Sequence, residues 1–299
     1  MSDIALWWRG ARPRTLGLST VPVVLGASAA GHVIAWRLVA ALVVGAGLQI
    51  GVNLANDYFD GVRGVDTHER MGPPRLTASG VVAPRAVLAA SLVCLGLAAV
   101  CGLALALATT PVLILIIGAF ALAAALLYSG GPKPYAGLGL GELMVFLFFG
   151  LMATCGSAYV MVETVPAAAW WGGVVMGLLA VAVLVANNLR DIPTDEASGK
   201  RTLAVRLGDR GTRRLYRACM VTAFATIALG VTLFIANESL GITQWALFGL
   251  AAWPLAIRPM EVVGNATGRD LIPVLTGTAA THAACGLLMA LGLTLWHTV

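Results

Sequence analysis

The stretch that organises this chain is Asn53-Leu-Ala-Asn-Asp-Tyr-Phe-Asp60. It closes a long apolar run, and its polar residues Asn53, Asn56, Asp57 and Asp60 are spaced i, i+3, i+4 and i+7. On a helix that spacing puts all four side chains on one stripe. Carboxylates at the end of a membrane helix are costly unless they have a partner. The stretch therefore predicts a bound counter-ion beside the end of this helix.

A second acidic stretch follows another apolar run, as Asn187-Asn-Leu-Arg-Asp-Ile-Pro-Thr-Asp195. Pro193 removes a backbone donor and disfavours helix at Ile192, so we expect the backbone from Asp191 to Asp195 to be kinked or unwound. Two acidic clusters at the ends of apolar helices are typical of sites for a hard divalent cation such as Mg²⁺. Such a cation usually binds together with a phosphate group.

The composition is that of an integral membrane protein. Of the 299 residues, 59% are hydrophobic and only 11% are charged, whereas soluble domains carry about 25% charged residues. We expect an all-α polytopic protein, a single domain over residues 1–299, with nine transmembrane helices around a central cavity that opens near the cytoplasmic face. The nine apolar segments are roughly 16–36, 38–56, 86–108, 111–128, 140–162, 168–189, 216–236, 240–257 and 271–296.

The basic residues predict the orientation. With nine spans, 18 of the 19 Lys and Arg residues fall on one side and only Arg37 falls on the other. By the positive-inside rule the N-terminus and the loops after the acidic stretches are cytoplasmic, and the C-terminus is outside. We expect a multi-pass protein of the cell's inner (plasma) membrane. The bilayer and small molecules are its expected partners, with no nucleic acid and no obligate protein partner.

Polar residues near the two acidic stretches are candidates for binding phosphate. Basic loops on the cytoplasmic side are also expected for topology alone, so the alternative that any one of them only sets the orientation stays open. Glu142 enters an apolar segment, and an acid there is a functional candidate or a residue at headgroup level. The phosphate candidates are Asn53, Asn56, Arg63, Arg70, Arg75, Lys133, Lys200 and Arg201.

The motifs together resemble the UbiA-type intramembrane prenyltransferases, most closely the 1,4-dihydroxy-2-naphthoate polyprenyltransferase branch. The resemblance runs from residue 11 to about residue 210, and the last three spans match only in hydropathy. The residues that carry it are the stretch Asn53–Asp60 extended through Gly-Val-Arg-Gly-Val-Asp66, the stretch Asn187–Asp195, and the segments Ala11-Arg-Pro-Arg-Thr-Leu16, Gly72-Pro-Pro-Arg-Leu76, Tyr128-Ser-Gly-Gly-Pro-Lys-Pro-Tyr135, Gly139-Leu-Gly-Glu142 and Lys200-Arg-Thr-Leu203.

The resemblance implies a reaction and a set of site residues. It implies that Mg²⁺ holds a polyprenyl diphosphate, and that an aromatic acceptor, 1,4-dihydroxy-2-naphthoate, takes the prenyl chain and loses carbon dioxide. The first motif departs from the family's Asn-x-x-x-Asp-x-x-x-Asp pattern, so Asp57, Asp60 and Asp66 all remain metal candidates. Catalytic and metal-binding roles are implied for Asp57, Asp60, Asp191 and Asp195, a metal-binding role for Asp66, and acceptor-binding roles for Tyr128, Glu142, Asn188 and Arg190.

Three other interpretations of the sequence stay open. The first is another UbiA-type branch, for example one that prenylates 4-hydroxybenzoate. The second is a phosphatidyltransferase of the CDP-alcohol type. The signature of that class starts like Asp57-x-x-Asp60-Gly61, but this sequence lacks the later residues of the signature. The third is a cation-coupled transporter. The position of the acids at helix ends, and not at mid-membrane, is an argument against this interpretation.

Overall fold

The computed structural model describes residues 3–64, 75–132 and 134–298, and every regular element in these ranges is helical. The described chain consists of two kinds of regular segment: α-helices, and short 3₁₀ or π-helical pieces between them. The α-helices are α1 (Asp3–Ala11), α2 (Leu16–Ala29), α3 (Ala35–Val62), α4 (Pro84–Leu107), α5 (Pro111–Leu127), α6 (Gly141–Val145), α7 (Ala153–Val162), α8 (Ala167–Ala197), α9 (Leu203–Ala236), α10 (Trp253–Val262) and α11 (Ile272–Thr298). The 3₁₀ pieces are Pro13–Thr15, Tyr135–Leu138, Gln244–Ala252 and Gly268–Leu271, and a π-helical piece, Phe146–Met152, joins α6 to α7.

The chain is a multi-span membrane protein by the length and composition of its helices. In the described part of the chain, six helical segments are long and apolar enough to cross a bilayer, and α5 is a shorter apolar helix. Each of the nine predicted segments lies on a helical segment. The first is α-helical for only 14 residues, and the eighth is divided between the 3₁₀ piece Gln244–Ala252 and α10. The six helical segments of membrane-spanning length are Ala35–Val62, Pro84–Leu107, Gly141–Val162, Ala167–Ala197, Leu203–Ala236 and Gly268–Thr298.

The backbone from Asp191 to Asp195 was expected to be kinked or unwound, and the second alternative is wrong. Helix α8 continues through Pro193 and ends at Ala197. Proline removes a single backbone bond, and here it lies in the last turns, where side-chain hydroxyls supply other bonds: Thr194 donates to the Asp191 carbonyl at 2.9 Å and Ser198 to the Asp195 carbonyl at 3.0 Å. Because the helix is unbroken, Asn187, Asp191 and Asp195 keep i, i+4, i+8 spacing and share one face.

Helix α8 is the buried centre of the bundle. It packs against α2, α7, α9 and α11. Of the six candidate spans it is the most buried, with 67% of its apolar 18-residue stretch inside the bundle. Small residues allow close approach of neighbouring helices: a Cβ added at Gly150 would lie 2.5 Å from the Gly173 carbonyl oxygen and from the Gly177 Cα. This packing holds the π-helical piece, and with it α6, directly against α8.

A basic residue at the opposite end of the bundle from the acidic stretches has a structural role. Arg37, in the first turn of α3, donates to the Val160 carbonyl at 2.9 Å and to the Ala108 carbonyl at 2.7 Å. Those carbonyls belong to the last turn of α7 and to the residue after α4. Carbonyl groups at helix C-termini are otherwise unsatisfied and carry partial negative charge. Arg37 therefore ties three helix ends together.

Candidate active site

Asp57 is bound on both of its oxygens. Helix α3 brings it beside the turn that follows the first acidic stretch, where it accepts from the backbone N–H groups of Leu76 and Thr77, each at 2.8 Å. It is only 3% exposed. A carboxylate has about four lone-pair sites, so two remain for other ligands. The contact fixes the turn of residues 75–80 to the end of α3.

Asp60 joins the two acidic stretches. One turn after Asp57 on α3, its Oδ2 lies 3.6 Å from a guanidinium nitrogen of Arg75 and 3.9 Å from Nζ of Lys200. Arg75 is held in place because the next residue, Leu76, is bound to Asp57. Lys200 follows the second stretch, and its backbone N–H donates to the Asp195 carbonyl at 2.9 Å. The ends of α3 and α8 therefore meet at one buried carboxylate.

Asp191 is paired with its neighbour in sequence. Arg190 donates from Nε to Oδ1 and from Nη2 to Oδ2 of Asp191, both at 2.7 Å, and its Nη2 also donates to Oδ1 of Asn187 at 2.9 Å. Asn187 in turn donates to Oδ2 of Asp191 at 3.2 Å. Arg190 is 7% exposed. One turn of α8 thus forms a closed network of three side chains.

The last acid of the second stretch faces the start of α9. Asp195 accepts from the hydroxyl of Thr202 at 3.4 Å, and Thr202 also caps α9 by accepting the Val205 backbone N–H at 3.3 Å. Gly199 has φ +75°, a conformation that glycine adopts readily, and this turn brings Lys200 back toward Asp195 and Asp60. Asn187 and Thr202 were not predicted as site residues. Their signal is position, one turn before Asp191 and at the N-cap of α9.

Several predicted phosphate ligands have structural contacts. Asn53 donates to the Ala11 carbonyl at 3.2 Å and so holds the end of α1. Arg63 donates to the carbonyls of Ser129 and Gly131 at 2.6 and 2.5 Å and anchors the loop after α5. Asn56 is half-buried on α3, whereas Arg201 is exposed and donates its backbone N–H to the Gly137 carbonyl at 3.0 Å. Asp66, Arg70 and Lys133 lie outside the described residues.

Three of the predicted acceptor residues, Glu142, Asn188 and Arg190, do not form one group in the structure. Glu142, at the start of α6 and 7% exposed, accepts from Nδ2 of Asn188 at 2.9 Å. Arg190 is directed to Asp191 instead. On a helix the residues 188 and 190 project about 200° apart, by the 3.6-residue turn. The structure therefore brings Glu142 and Asn188 together, whereas Arg190 belongs to the acidic cluster.

Tyr128 is within electrostatic reach of both Asp60 and Glu142. It follows the end of α5, outside the helix, and its ring meets that of Tyr135 edge-on with centroids 5.4 Å apart. Burial raises the pKa of Tyr128 to about 12; the charges of Glu142 and Asp60 add to this, and those of Arg12 and Arg75 oppose it. The hydroxyl is therefore a neutral donor at physiological pH, within electrostatic reach of both regions.

Arg12 is a candidate site residue that was not among the predicted ones. It acts electrostatically on Tyr128, and its backbone has φ 54° and ψ 61°, a conformation that is uncommon for residues other than glycine. Pro13 disfavours the helical region for the residue before it, so Arg12 interrupts the helical path from α1 to α2. Strained residues of this kind cluster at functional sites, and an Arg-Pro pair between two helices is the signal that could have found it.

The donor set fits a hard divalent cation that also binds a phosphate. Among the described residues no three His, Cys, Asp or Glu side chains form one ready-made metal cluster. Mg²⁺ usually binds through one or two carboxylates and takes its other ligands from water and substrate phosphates. The available ligands are carboxylate oxygens, and cationic side chains already stand beside them: Arg75 and Lys200 at Asp60, and Arg190 at Asp191.

Comparison with known proteins gives the family. Residues 18–263 match the model of the UbiA prenyltransferase family. The chain is 47% identical to a 1,4-dihydroxy-2-naphthoate octaprenyltransferase of Mycobacterium leprae (strain TN), over 100% of this chain and 99% of the relative. It is 35% identical to the Escherichia coli (strain K12) protein of the same name, over 98% of this chain and 96% of that one.

A solved structure has the same fold. It is a UbiA homolog from Archaeoglobus fulgidus bound to GPP and Mg²⁺, with a TM-score of 0.70, 15% identity and coverage of 98% of this chain and 99% of that one. At this identity the likeness concerns the fold. The family match and the full-length relatives, together with two acidic helix ends that meet at Asp60, establish that this chain belongs to the UbiA prenyltransferase family.

Proposed function

We propose that the protein transfers a polyprenyl chain from polyprenyl diphosphate to 1,4-dihydroxy-2-naphthoate, with loss of diphosphate and carbon dioxide, to give demethylmenaquinol for menaquinone biosynthesis. The observation that carries the choice of substrates is the 47% identity over the full length to a relative named for this activity. The geometry supports it, because a cation-rich acidic site and a separate polar pair lie on neighbouring faces of the same turn of α8.

The diphosphate would bind between the ends of α3 and α8. The carboxylates of Asp57, Asp60, Asp191 and Asp195 would hold Mg²⁺ there, with Asp66 as a further candidate, and the cation would stabilise the negative charge of the leaving diphosphate. Arg75 and Lys200 are positioned to bind phosphate oxygens, with Arg70, Lys133 and Arg201 as further candidates. Arg63 and Asn53 contribute by holding the loop after α5 and the end of α1.

Burial of the site supports a reaction through a reactive allylic cation. Asp57, Asp60, Arg75 and Glu142 are each less than 10% exposed. When the bond between the allylic carbon and the diphosphate oxygen breaks, a water-poor site protects the resulting carbon cation from hydrolysis. Apolar side chains of the membrane helices provide the surroundings for the long isoprenoid tail.

The acceptor would bind on the Glu142 side of α8. Glu142 can accept a hydrogen bond from a ring hydroxyl and so raise electron density in the ring, while the neutral hydroxyl of Tyr128 can donate to an oxygen of the acceptor. Asn188 orients Glu142 through its 2.9 Å bond. The ring carbon that carries the carboxylate attacks the allylic cation, and a new carbon–carbon bond forms. The carboxylate then leaves as carbon dioxide, and the electron pair of the broken bond restores aromaticity.

We propose the nine-span arrangement for the same reasons of charge and packing. The chain would be one domain over residues 1–299 in the cell's inner membrane, with nine helices around a central cavity, a cytoplasmic N-terminus and an external C-terminus. Asp60, Tyr128, Glu142 and Asp195 lie at helix ends that this topology puts on the cytoplasmic side. Arg37 would lie outside, where it has carbonyl partners.

The decisive experiment follows the carboxyl carbon. Purified protein in lipid nanodiscs is given Mg²⁺, a long-chain polyprenyl diphosphate and 1,4-dihydroxy-2-naphthoate labelled in its carboxyl group. We expect prenylated naphthoquinol and labelled carbon dioxide in equal amounts, and neither product when Mg²⁺ is replaced by EDTA. Label retained in the lipid product, or faster prenylation of 4-hydroxybenzoate under the same conditions, would contradict the choice of acceptor.

A further inference from the structure

We propose that Arg190 is the internal counter-ion of Asp191, and that it restricts this acidic site to a divalent cation that arrives together with diphosphate. The inference rests on the proposed function, because it concerns the cation and diphosphate of that reaction. It assigns to Arg190 a positioning role in the metal site in place of the acceptor-binding role that the sequence suggested.

The first step is the geometry of the pair. Both nitrogens of the Arg190 fork lie 2.7 Å from the two oxygens of Asp191, and Asn187 closes the network from one turn earlier. Bidentate, charge-assisted bonds of this kind are among the strongest polar contacts in proteins. Both oxygens of Asp191 therefore point at a cation that the chain itself supplies.

The second step is burial. Arg190 is 7% exposed, and a buried guanidinium that loses its carboxylate is left as an uncompensated charge, which is strongly unfavourable. A divalent cation that binds Asp191 must share its oxygens with the guanidinium or displace it. In either case two like-charged groups come close together in a site that water does not screen well.

The third step is the charge of the surrounding site. Asp60 likewise has two basic side chains beside it, at 3.6 and 3.9 Å. A bare divalent cation therefore meets carboxylates whose charge is already offset. A cation that arrives with diphosphate brings negative charge of its own, which favours contact with Lys200 and Arg75 and offsets the repulsion from Arg190. The ligand of the site is then the cation–diphosphate complex and not the free cation.

Equilibrium dialysis measures this without turnover. Purified protein is dialysed against Mn²⁺ alone or against Mn²⁺ with inorganic diphosphate, and protein-bound manganese is determined by elemental analysis, with protein-free micelles as the blank. We expect the wild type to bind Mn²⁺ at least about tenfold more tightly when diphosphate is present, which is the effect of one compensated charge. Tight binding of Mn²⁺ alone to the wild type would overturn the proposal even if every variant failed to fold.

The variants separate charge from geometry. Arg190→Gln is expected to bind Mn²⁺ alone about tenfold more tightly than the wild type does, and Arg190→Lys, which keeps the charge, is expected to stay close to the wild type. Arg213→Gln is the matched control, since Arg213 forms the same two-nitrogen fork on Asp209, at 2.6 and 2.7 Å, and has no bond to the acidic stretches among its described contacts. It should leave Mn²⁺ binding unchanged. A thermal melt of each variant confirms that it is folded.

The outcomes distinguish this inference from the proposed function. If Arg190→Gln is folded and binds Mn²⁺ alone no better than the wild type, Arg190 is not the restricting counter-ion, and the proposed reaction is unaffected. If the wild type retains no manganese even with diphosphate, the metal–diphosphate site itself is wrong, and the inference fails with it.

Discussion

The ammonium nitrogen of Lys200 lies 3.9 Å from Oδ2 of Asp60, although Asp60 ends the first acidic stretch and Lys200 follows the second. Arg75 approaches the same oxygen at 3.6 Å. The contact shows how the bundle brings the ends of α3 and α8 to one place. It also identifies Asp60 as the carboxylate at which the two stretches meet, and the first prediction concerns this residue.

Asp60→Ala and Asp191→Ala should each lower turnover by more than about 100-fold, the usual effect of losing a group that stabilises developing charge. Each change removes a carboxylate from the proposed cation site and little apolar packing, and Asp191→Ala also takes away the carboxylate partner of Arg190. Release of labelled carbon dioxide measures the loss, and thermal unfolding checks the fold. Arg85→Ala, an exposed residue outside the motifs, is the control and should keep most of the activity. Prenyl transfer near the wild-type rate in either Asp variant would put the cation elsewhere.

Asp57→Asn should loosen the turn of residues 75–80. An amide offers one acceptor oxygen where the carboxylate offers two, so one of the buried N–H groups of Leu76 and Thr77 loses its partner. A buried donor without a partner costs about 2 kcal/mol of unfolding free energy. We expect a lower melting temperature and faster tryptic cleavage after Arg75.

The matched control for that experiment is Asp209→Asn. Asp209 also accepts two bonds, from Arg213, but its side chain is 57% exposed. Exposed ion pairs contribute about 1 kcal/mol or less, so the melting temperature should change little and cleavage after Arg75 should not change. Equal effects of the two variants would show that the buried turn has no special dependence on Asp57.

Arg37→Gln should destabilise the protein without changing the chemistry. Arg37 holds the carbonyls of Val160 and Ala108 at the end of the bundle remote from the acidic site. Loss of these bonds should lower the free energy of unfolding by about 2 kcal/mol, while KM values and turnover of the folded enzyme stay the same. Arg85→Gln is the matched exposed control. A large change in KM for diphosphate substrate in Arg37→Gln would show that this end of the bundle is coupled to the site.

Tyr128→Phe should raise the acceptor KM by about tenfold, the effect of one lost hydrogen bond, and leave the pH profile below pH 10 unchanged. The pKa of Tyr128 is raised from 10.0 to about 12, so the hydroxyl is neutral over that whole range in the wild type. Because the folded state holds this proton more tightly than the unfolded state, its contribution to stability is present below pH 10 and is lost as the pH rises toward 12. Thermal melts at high pH should therefore fall more steeply for the wild type than for Tyr128→Phe.

Reporter fusions test the topology. Fusions after residues 70, 133, 205 and 265 should report the cytoplasm, and a fusion after residue 299 should report the outside, because basic residues concentrate on the cytoplasmic side of membrane proteins. Arg37, which this topology would put on the other side, donates to carbonyls at two helix ends. A cytoplasmic C-terminus would contradict the nine-span arrangement.

The amino-acid sequence by itself determined the class of protein, and its motifs carried the family resemblance that implied the chemistry. Apolar runs of membrane-spanning length, their separation by basic loops, and the spacing of Asp57, Asp60, Asp191 and Asp195 are local properties of the chain. Each depends on residues within a few turns of one another, which is why the helices and the acidic faces could be predicted. The unwinding at Pro193 was predicted wrongly because Pro193 lies near a helix end, where a single missing backbone bond costs little and the neighbouring Thr194 hydroxyl binds the Asp191 carbonyl.

Only the tertiary structure decided which charges already have partners. Asp57 is bound by backbone groups of residues 76 and 77, Asp60 meets Lys200, and Arg63 binds carbonyls beyond α5 instead of remaining available for phosphate. These partners are far apart in sequence, so the contacts depend on how the helices pack and where the loops return. Arg190 shows the same limit at short range. It adjoins Asp191 in sequence, but its pairing with that carboxylate depends on burial, because a buried guanidinium without a partner is strongly unfavourable.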